Sequence, residues 1–306
     1  MSAAIFPILL ILIAGIFLHR YLPDKGGFWE GLSWMSYWIF TPALFVTSIG
    51  SADLSIIEPG PLLFSLLIPV LAVAGLALGL GKLVRANGPQ LTSLVQGSIR
   101  INTYIGLIFV SALHGSAGIA SFALACAVVV PLVNIICVSA LSVYGAKQRY
   151  GGKLRLWQEL MFNPLILSCA GGLLINTLSI PLPGFLGSTL NMLAAPALVC
   201  GTLIAGAALS FNFRWRDVLD IGIATILKLA ILPVAAMAIA IPLGMTGTSL
   251  SAIVLICAVP TAPSANVLAA RMGGDTRLIA AITGAQTICA LGTIPLMIGI
   301  ANYFSF

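Results

Sequence analysis

The sequence predicts an all-α polytopic membrane protein with ten transmembrane helices. The first observation is composition: 60% of the 306 residues are hydrophobic and 7% are charged, against about 25% charged residues in a soluble domain. The second is the position of the basic residues, which fall almost entirely between long apolar segments. The third is a pair of apolar segments, one in each half of the chain, that polar residues or prolines interrupt.

The apolar segments have the length of membrane-spanning helices. A bilayer core of about 30 Å is crossed by roughly 20 apolar residues in a helix. The first segment is predicted to span the membrane and not to be a cleaved signal, because its basic residues, His19 and Arg20, follow the apolar run. The ten segments lie at about residues 3–20, 30–50, 60–84, 91–113, 117–144, 160–180, 186–209, 217–241, 249–271 and 277–302.

The connections between the segments alternate in charge. The odd-numbered connections each have at least two Lys or Arg residues in or beside them, whereas the even-numbered connections have none. Because cytoplasmic loops are enriched in basic residues, both termini are predicted to lie outside the cytoplasm. The net charge of +6 therefore reflects topology in a cell (inner) membrane, and we expect a lipid bilayer as partner and no nucleic acid.

The two halves of the chain resemble each other. A Pro-Ala-Leu tripeptide after Thr41 recurs after Ala195, and the interruption at Asn102 recurs at Pro260. Five segments in each half is an odd number, so the halves must be inverted relative to each other in the membrane. We therefore predict a first five-helix repeat, a cytoplasmic linker and a second repeat, at residues 1–144, 145–158 and 159–306.

The fourth and ninth segments are predicted to be broken near their middle. Pro260 and Pro263 cannot lie in one continuous helix, because each removes an amide donor and clashes with the preceding turn. Freed backbone groups are tolerated in a membrane only where protein or a water-lined cavity satisfies them. A second half-helix is expected to begin near Ser264, and residues 100–103 are the matching interruption. Paired interruptions indicate a transporter site, although a proline kink without a ligand is the alternative.

The charged residues indicate the chemistry of this site. All eight carboxylates lie in or near connections, whereas Arg100 and Lys228 lie within apolar segments. The positive ends of two half-helices would add to these cations, so an organic anion is the expected ligand. We expect no metal, cofactor or catalytic residue, and no enzyme. The predicted substrate-binding residues are Arg100, Asn102, Thr103, Lys228, Pro260, Thr261, Ser264 and Asn266.

Two alternatives remain for the buried cations. Lys228 is also compatible with a snorkelling lysine or with a neutral lysine that bonds to a backbone carbonyl. Arg100 is also compatible with a clamp on the carbonyls that the broken helix frees.

Several stretches carry a family resemblance: residues 100–106, 163–166, 260–270 and 273–275, with Thr287, Thr293 and Pro295. They resemble the auxin efflux carrier family, which holds plant PIN auxin carriers and bacterial malonate-type carriers. The resemblance implies a scaffold of helices 1, 2, 6 and 7, a moving transport domain of helices 3–5 and 8–10, and crossing breaks in helices 4 and 9. It also implies an elevator-like movement and a homodimer formed through the scaffold.

The sequence thus predicts a secondary transporter of a small organic anion, a carboxylate, that works by alternating access. A sodium- or proton-coupled carrier of the bile-acid or antiporter type is the alternative within transport. A membrane-embedded enzyme or a sensor is the alternative from another class.

Overall fold

The computed structural model describes residues 2–21, 27–54, 58–146, 161–208 and 217–304. All regular structure in these ranges is helical, which confirms the all-α prediction. The predicted linker at residues 145–158 lies outside the described residues from position 147 onward.

The helices of the first half match its predicted apolar segments, and some of their ends differ from the predicted ends by a few residues. Short gaps separate most of them, and a π-helix at Ser36–Phe40 joins the second helix directly to the third. The α-helices are α1 (Ser2–Tyr21), α2 (Phe28–Met35), α3 (Thr41–Gly50), α4 (Pro59–Leu83), α5 (Gly88–Ile99) and α6 (Thr103–Tyr144).

The described part of the second half consists of shorter helices and one long final helix. Its π-helix, Leu227–Ile231, joins two α-helices into one stretch. The α-helices are α7 (Pro164–Thr177), α8 (Gly184–Ala194), α9 (Ala197–Ala207), α10 (Val218–Ile226), α11 (Leu232–Ala240), α12 (Gly247–Ala258), α13 (Ser264–Met272) and α14 (Thr276–Tyr303).

Six helical stretches of the described chain are long and apolar enough to cross a membrane, which makes it a multi-pass membrane protein. Shorter apolar helices lie at Leu9–Tyr21, Pro164–Thr177 and Gly247–Ala258. The six are Phe28–Gly50, Pro59–Leu83, Gly88–Tyr144, Gly184–Ala207, Val218–Ala240 and Thr276–Tyr303.

The stretch from Gly88 to Tyr144 is too long for a single crossing. Its 57 residues would form a helix of about 85 Å, nearly three times the thickness of a bilayer core. The stretch is interrupted at residues 100–102, between α5 and α6. It is interrupted again inside α6 at Gly115, whose φ of 58° and ψ of −141° suit glycine and strain other residues.

The helices pack into two groups that α6 connects. In the first group, α1 packs against α9, and α3 packs against α7 and α8. In the second group, α4 packs against α5 and α11, while α12 packs against α11 and α14. Helix α6 contacts α12 and α5 on one side and α3 and α9 on the other.

Two glycines bring α1 and α9 into backbone contact. Gly15 faces the carbonyl of Leu203, and Gly206 faces the carbonyl of Leu12, each so closely that a Cβ would overlap the facing oxygen. Small residues of this kind allow membrane helices to approach closely where the bilayer supplies no hydrophobic driving force between them.

Candidate functional site

The two interrupted helices meet at their breaks. Helix α5 ends at Ile99 and helix α12 ends at Ala258, and each is followed by extended backbone. The backbone amide of Asn102 donates a 2.8 Å hydrogen bond to the carbonyl of Pro260. The two breaks therefore pair with each other, so that protein satisfies backbone groups that the helices leave free.

Asn102 holds the first break in place. Its side chain is 2% exposed, and its Oδ1 accepts a 3.3 Å hydrogen bond from the amide of Ile105, in the first turn of α6. Its carbonyl accepts from the amide of Gly106 at 3.1 Å. Asn102 is thus the N-cap of α6, the position where asparagine is among the strongest caps.

A buried network fixes the second break. The hydroxyl of Thr261 donates to the carbonyl of Gly97 at 3.0 Å, and its amide donates to Oε1 of Gln286 at 2.9 Å. Nε2 of Gln286 donates to the carbonyls of Gly97 at 2.7 Å and Ala224 at 3.2 Å. Gln286, at 0% exposure, therefore ties α14 to the break, to the end of α5 and to α10.

Lys228 supports the end of α12 from the π-helix. It is fully buried, and its Nζ donates a 3.0 Å hydrogen bond to the carbonyl of Cys257. That carbonyl belongs to the last turn of α12, where helix carbonyls lack intrahelical partners and the helix dipole is negative. The structure thus shows the carbonyl-bonded arrangement that was one of the alternatives for this lysine.

Arg100 bridges the two breaks through its side chain. Its Nη2 donates to the hydroxyl of Ser264 at 3.4 Å, and the thiol of Cys137 on α6 lies beside the guanidinium. Its Nη1 is buried and has no hydrogen-bond partner among the described residues. The ion pairs found in the same residues are those of Arg277 with Asp217 and Asp275, so the guanidinium retains donor capacity at the crossing.

The remaining predicted residues differ in their access to the surface. Ser264 and Asn266 are exposed at the start of α13, Thr103 is half-buried at the start of α6, and Pro260 is buried. Helix α13 begins after Pro263 with no side-chain cap on its amides. Arg100, Ser264 and Asn266 are therefore the predicted residues with side chains most accessible to a ligand. The side chain of Thr103 shares a hydrogen bond with the thiol of Cys126, and the other predicted residues build the crossing.

The sequence interpretation missed two glutamines. Gln286 completes the network around the second break, and Gln96, also at 0% exposure, lies one turn before the first break. Each is a neutral polar residue within a largely apolar helix, and intramembrane polar residues are usually paired or functional. The rarity of polar residues in membrane helices could have drawn attention to both glutamines, because neither belongs to a recognisable local motif.

A cavity of about 350 Å³ lies apart from the crossing. Ser48 of α3, Ser111 and Gly115 of α6, and Asn191 of α8 are among the residues that line it. Ser111 follows Asn102 by nine residues, or about 13 Å along a helix. The cavity therefore lies between α6 and the first helix group, toward the opposite end of that half-helix, and we place the candidate site at the crossing.

The described residues contain no group of three His, Cys, Asp or Glu side chains that suits a metal ion. The carboxylates of Asp217 and Asp275 instead contact Arg277 near the start of α14. Asp275 also caps α14, with its side chain accepting from the amide of Leu278 at 2.9 Å.

The apolar helices make this chain a multi-pass membrane protein. The family model described as "Membrane transport protein" matches residues 153–298. This match confirms the resemblance to the auxin efflux carrier family over the second half of the chain, and it indicates a membrane transport protein. No curated protein matches the chain.

Proposed function

We propose that this protein is a secondary transporter of a small organic anion that carries a carboxylate. The observation that carries the proposal is the position of Arg100, whose Nη1 is buried and unpaired in the described structure where two broken helices cross. A buried donor without a partner is costly, and an anionic ligand that accepted from Nη1 would relieve that cost.

The binding groups belong to both half-helices. Arg100 contributes the counter-charge, Ser264 and Asn266 contribute polar groups from the start of α13, and Thr103 contributes a hydroxyl from the start of α6. The start of α13, which has no side-chain cap, adds the positive end of a helix dipole. Asn102, Pro260, Thr261 and Lys228 contribute indirectly, since their hydrogen bonds fix the backbone around the ligand.

The transport cycle that we propose is alternating access with an elevator-like movement. We propose ten crossings in two inverted repeats, with both termini outside the cytoplasm of a cell (inner) membrane, on the basis of the alternating charge of the connections. The packing of α1, α3, α7, α8 and α9 as one group supports a scaffold, and the group around α4, α5 and α10–α14 supports a moving domain. A homodimer through the scaffold is proposed from the family resemblance.

The test is binding of carboxylates to purified protein, measured by thermal shift and by uptake into liposomes. Arg100→Gln removes one charged donor, a hydrogen bond of about 1.5–3 kcal/mol, so we expect a 10- to 100-fold weaker affinity. Arg271→Gln, an exposed arginine at the end of α13, is the matched control and should bind as the parent does. The proposal fails if no mono- or dicarboxylate binds, or if both variants behave alike.

A further inference from the structure

Gln96 is a fully buried glutamine whose hydrogen-bonding capacity is unused. Its exposure is 0%, and neither Nε2 nor Oε1 finds a partner in the described residues. Gln286 is the direct comparison, because it is equally buried and both atoms of its amide are bonded. Buried polar side chains are almost always satisfied, so an unsatisfied one calls for a partner that is not part of the fold.

Gln96 lies on the same face of α5 as Arg100. The two residues are four apart, which places their side chains next to each other on a helix, and the backbone amide of Arg100 still bonds to the carbonyl of Gln96 at 2.9 Å. One turn earlier on this face, the hydroxyl of Thr92 approaches Gly274, between α13 and α14. The face therefore points toward α13, and Arg100 reaches the exposed Ser264 there.

The chemistry of the unpaired atoms defines a ligand. Nη1 of Arg100 and Nε2 of Gln96 are donors, which a carboxylate can accept with its two oxygens. Oε1 of Gln96 is an acceptor, and a carboxylate has no proton to offer it. A hydroxyl on the carbon next to the carboxylate would donate to that oxygen and satisfy all three atoms.

We propose that Gln96 and Arg100 form a subsite for a carboxylate with a neighbouring hydrogen-bond donor, and that Gln96 selects 2-hydroxy acids over the same acids without the hydroxyl. This inference rests on the proposed function and adds a selecting residue to it. A site built to bond a hydroxyl rejects the analogue that lacks it, because its own polar atoms are then left unpaired.

The first experiment compares lactate with propionate, which differ only by the 2-hydroxyl, in binding to the purified full-length protein. We expect lactate to bind at least about tenfold more tightly. 2-Methoxypropionate keeps the oxygen but loses its proton, and it should bind no better than propionate. Equal binding of all three acids overturns the selection by Gln96 while leaving the proposed anion transport intact, whereas no binding of any carboxylate overturns both.

The second experiment replaces the two glutamines. Gln96→Leu should reduce the preference for lactate to about twofold or less. It should weaken lactate binding more than propionate binding, because propionate loses only the bond from Nε2 whereas lactate also loses the bond from its hydroxyl to Oε1. Without ligand, Gln96→Leu should melt at the same temperature as the parent or higher, because it removes unsatisfied polar atoms. Gln286→Leu should melt lower, since it strands the amide of Thr261. Gln96→Met provides a second apolar variant of similar length.

Two results of the second experiment overturn the proposal. One is a Gln96→Leu protein that keeps the full preference for lactate, which would mean that Gln96 bonds to a buried water and not to the solute. The other is a loss of melting temperature as large as that of Gln286→Leu, which would make Gln96 a structural residue.

Discussion

The backbone amide of Asn102 donates to the carbonyl of Pro260 across 2.8 Å, and this bond joins two chain breaks that are 158 residues apart. Each break leaves backbone groups without helical partners. The first break supplies an amide donor and the second supplies the carbonyl that accepts from it. The crossing is therefore one structural unit, and a change in either break is expected to affect both.

The cap at Asn102 should serve both folding and binding. We expect Asn102→Ala to cost about 1 kcal/mol of stability, because the first turn of α6 loses its cap, and to weaken carboxylate binding as well. Asn163→Ala is the matched control, since Asn163 caps α7 in the same way with bonds to the amides of Leu165 and Ile166. Thermal unfolding and ligand titration of both variants check this. Equal binding losses would show that the effect comes from stability alone.

Asn266 should matter for binding and hardly for folding. It is exposed in the first turn of α13, so Asn266→Ala should change stability by less than about 0.5 kcal/mol. Loss of its contact to the anion should weaken affinity several-fold, as expected for a hydrogen bond of about 1 kcal/mol. Isothermal titration calorimetry of the parent and the variant, with the carboxylate that binds the parent most tightly, measures this loss of affinity. Parent-like binding would place the ligand away from α13.

Lys228 should influence affinity through α12. Lys228→Met removes the ammonium that bonds to the carbonyl of Cys257, but it also relieves the cost of burying a charge, so the fold is expected to persist. The break loses its support and the site loses positive charge, so affinity for an anion should fall. Binding to the folded variant tests this. Unchanged affinity would leave Arg100 as the sole counter-charge.

The predicted topology places the fifth connection in the cytoplasm and the sixth outside. A single cysteine at Gly184, where a Cβ meets open space, should react with an impermeant thiol reagent in intact cells. A cysteine at Gly151, outside the described residues, should be shielded. Cys289 is exposed and must first be replaced. The reverse pattern of labelling would invert the orientation.

The sequence revealed the breaks better than the side chains that hold them. Pro260 and Pro263 interrupt a helix for local reasons, so the start of α13 at Ser264 was predictable. The hydrogen bond from Lys228 to the carbonyl of Cys257 comes from a residue in a π-helix, and no sequence pattern predicted that π-helix. The roles of Gln96 and Gln286 depend on what faces them across other helices. Side chains that satisfy distant backbone groups are a property of tertiary packing, which local patterns do not report.

The glycine contacts between α1 and α9 provide a reference distance against which the proposed movement can be measured. Gly15 and Gly206 each contact the backbone of the opposite helix. Because the two helices are packed this closely, we expect the distance between α1 and α9 to stay constant through a transport cycle. Spin labels on α1 and α9 would then give a constant distance, while labels on α9 and α13 would give a distance that changes with the ligand. The α1–α9 distance would thus serve as an internal reference for the change in the α9–α13 distance.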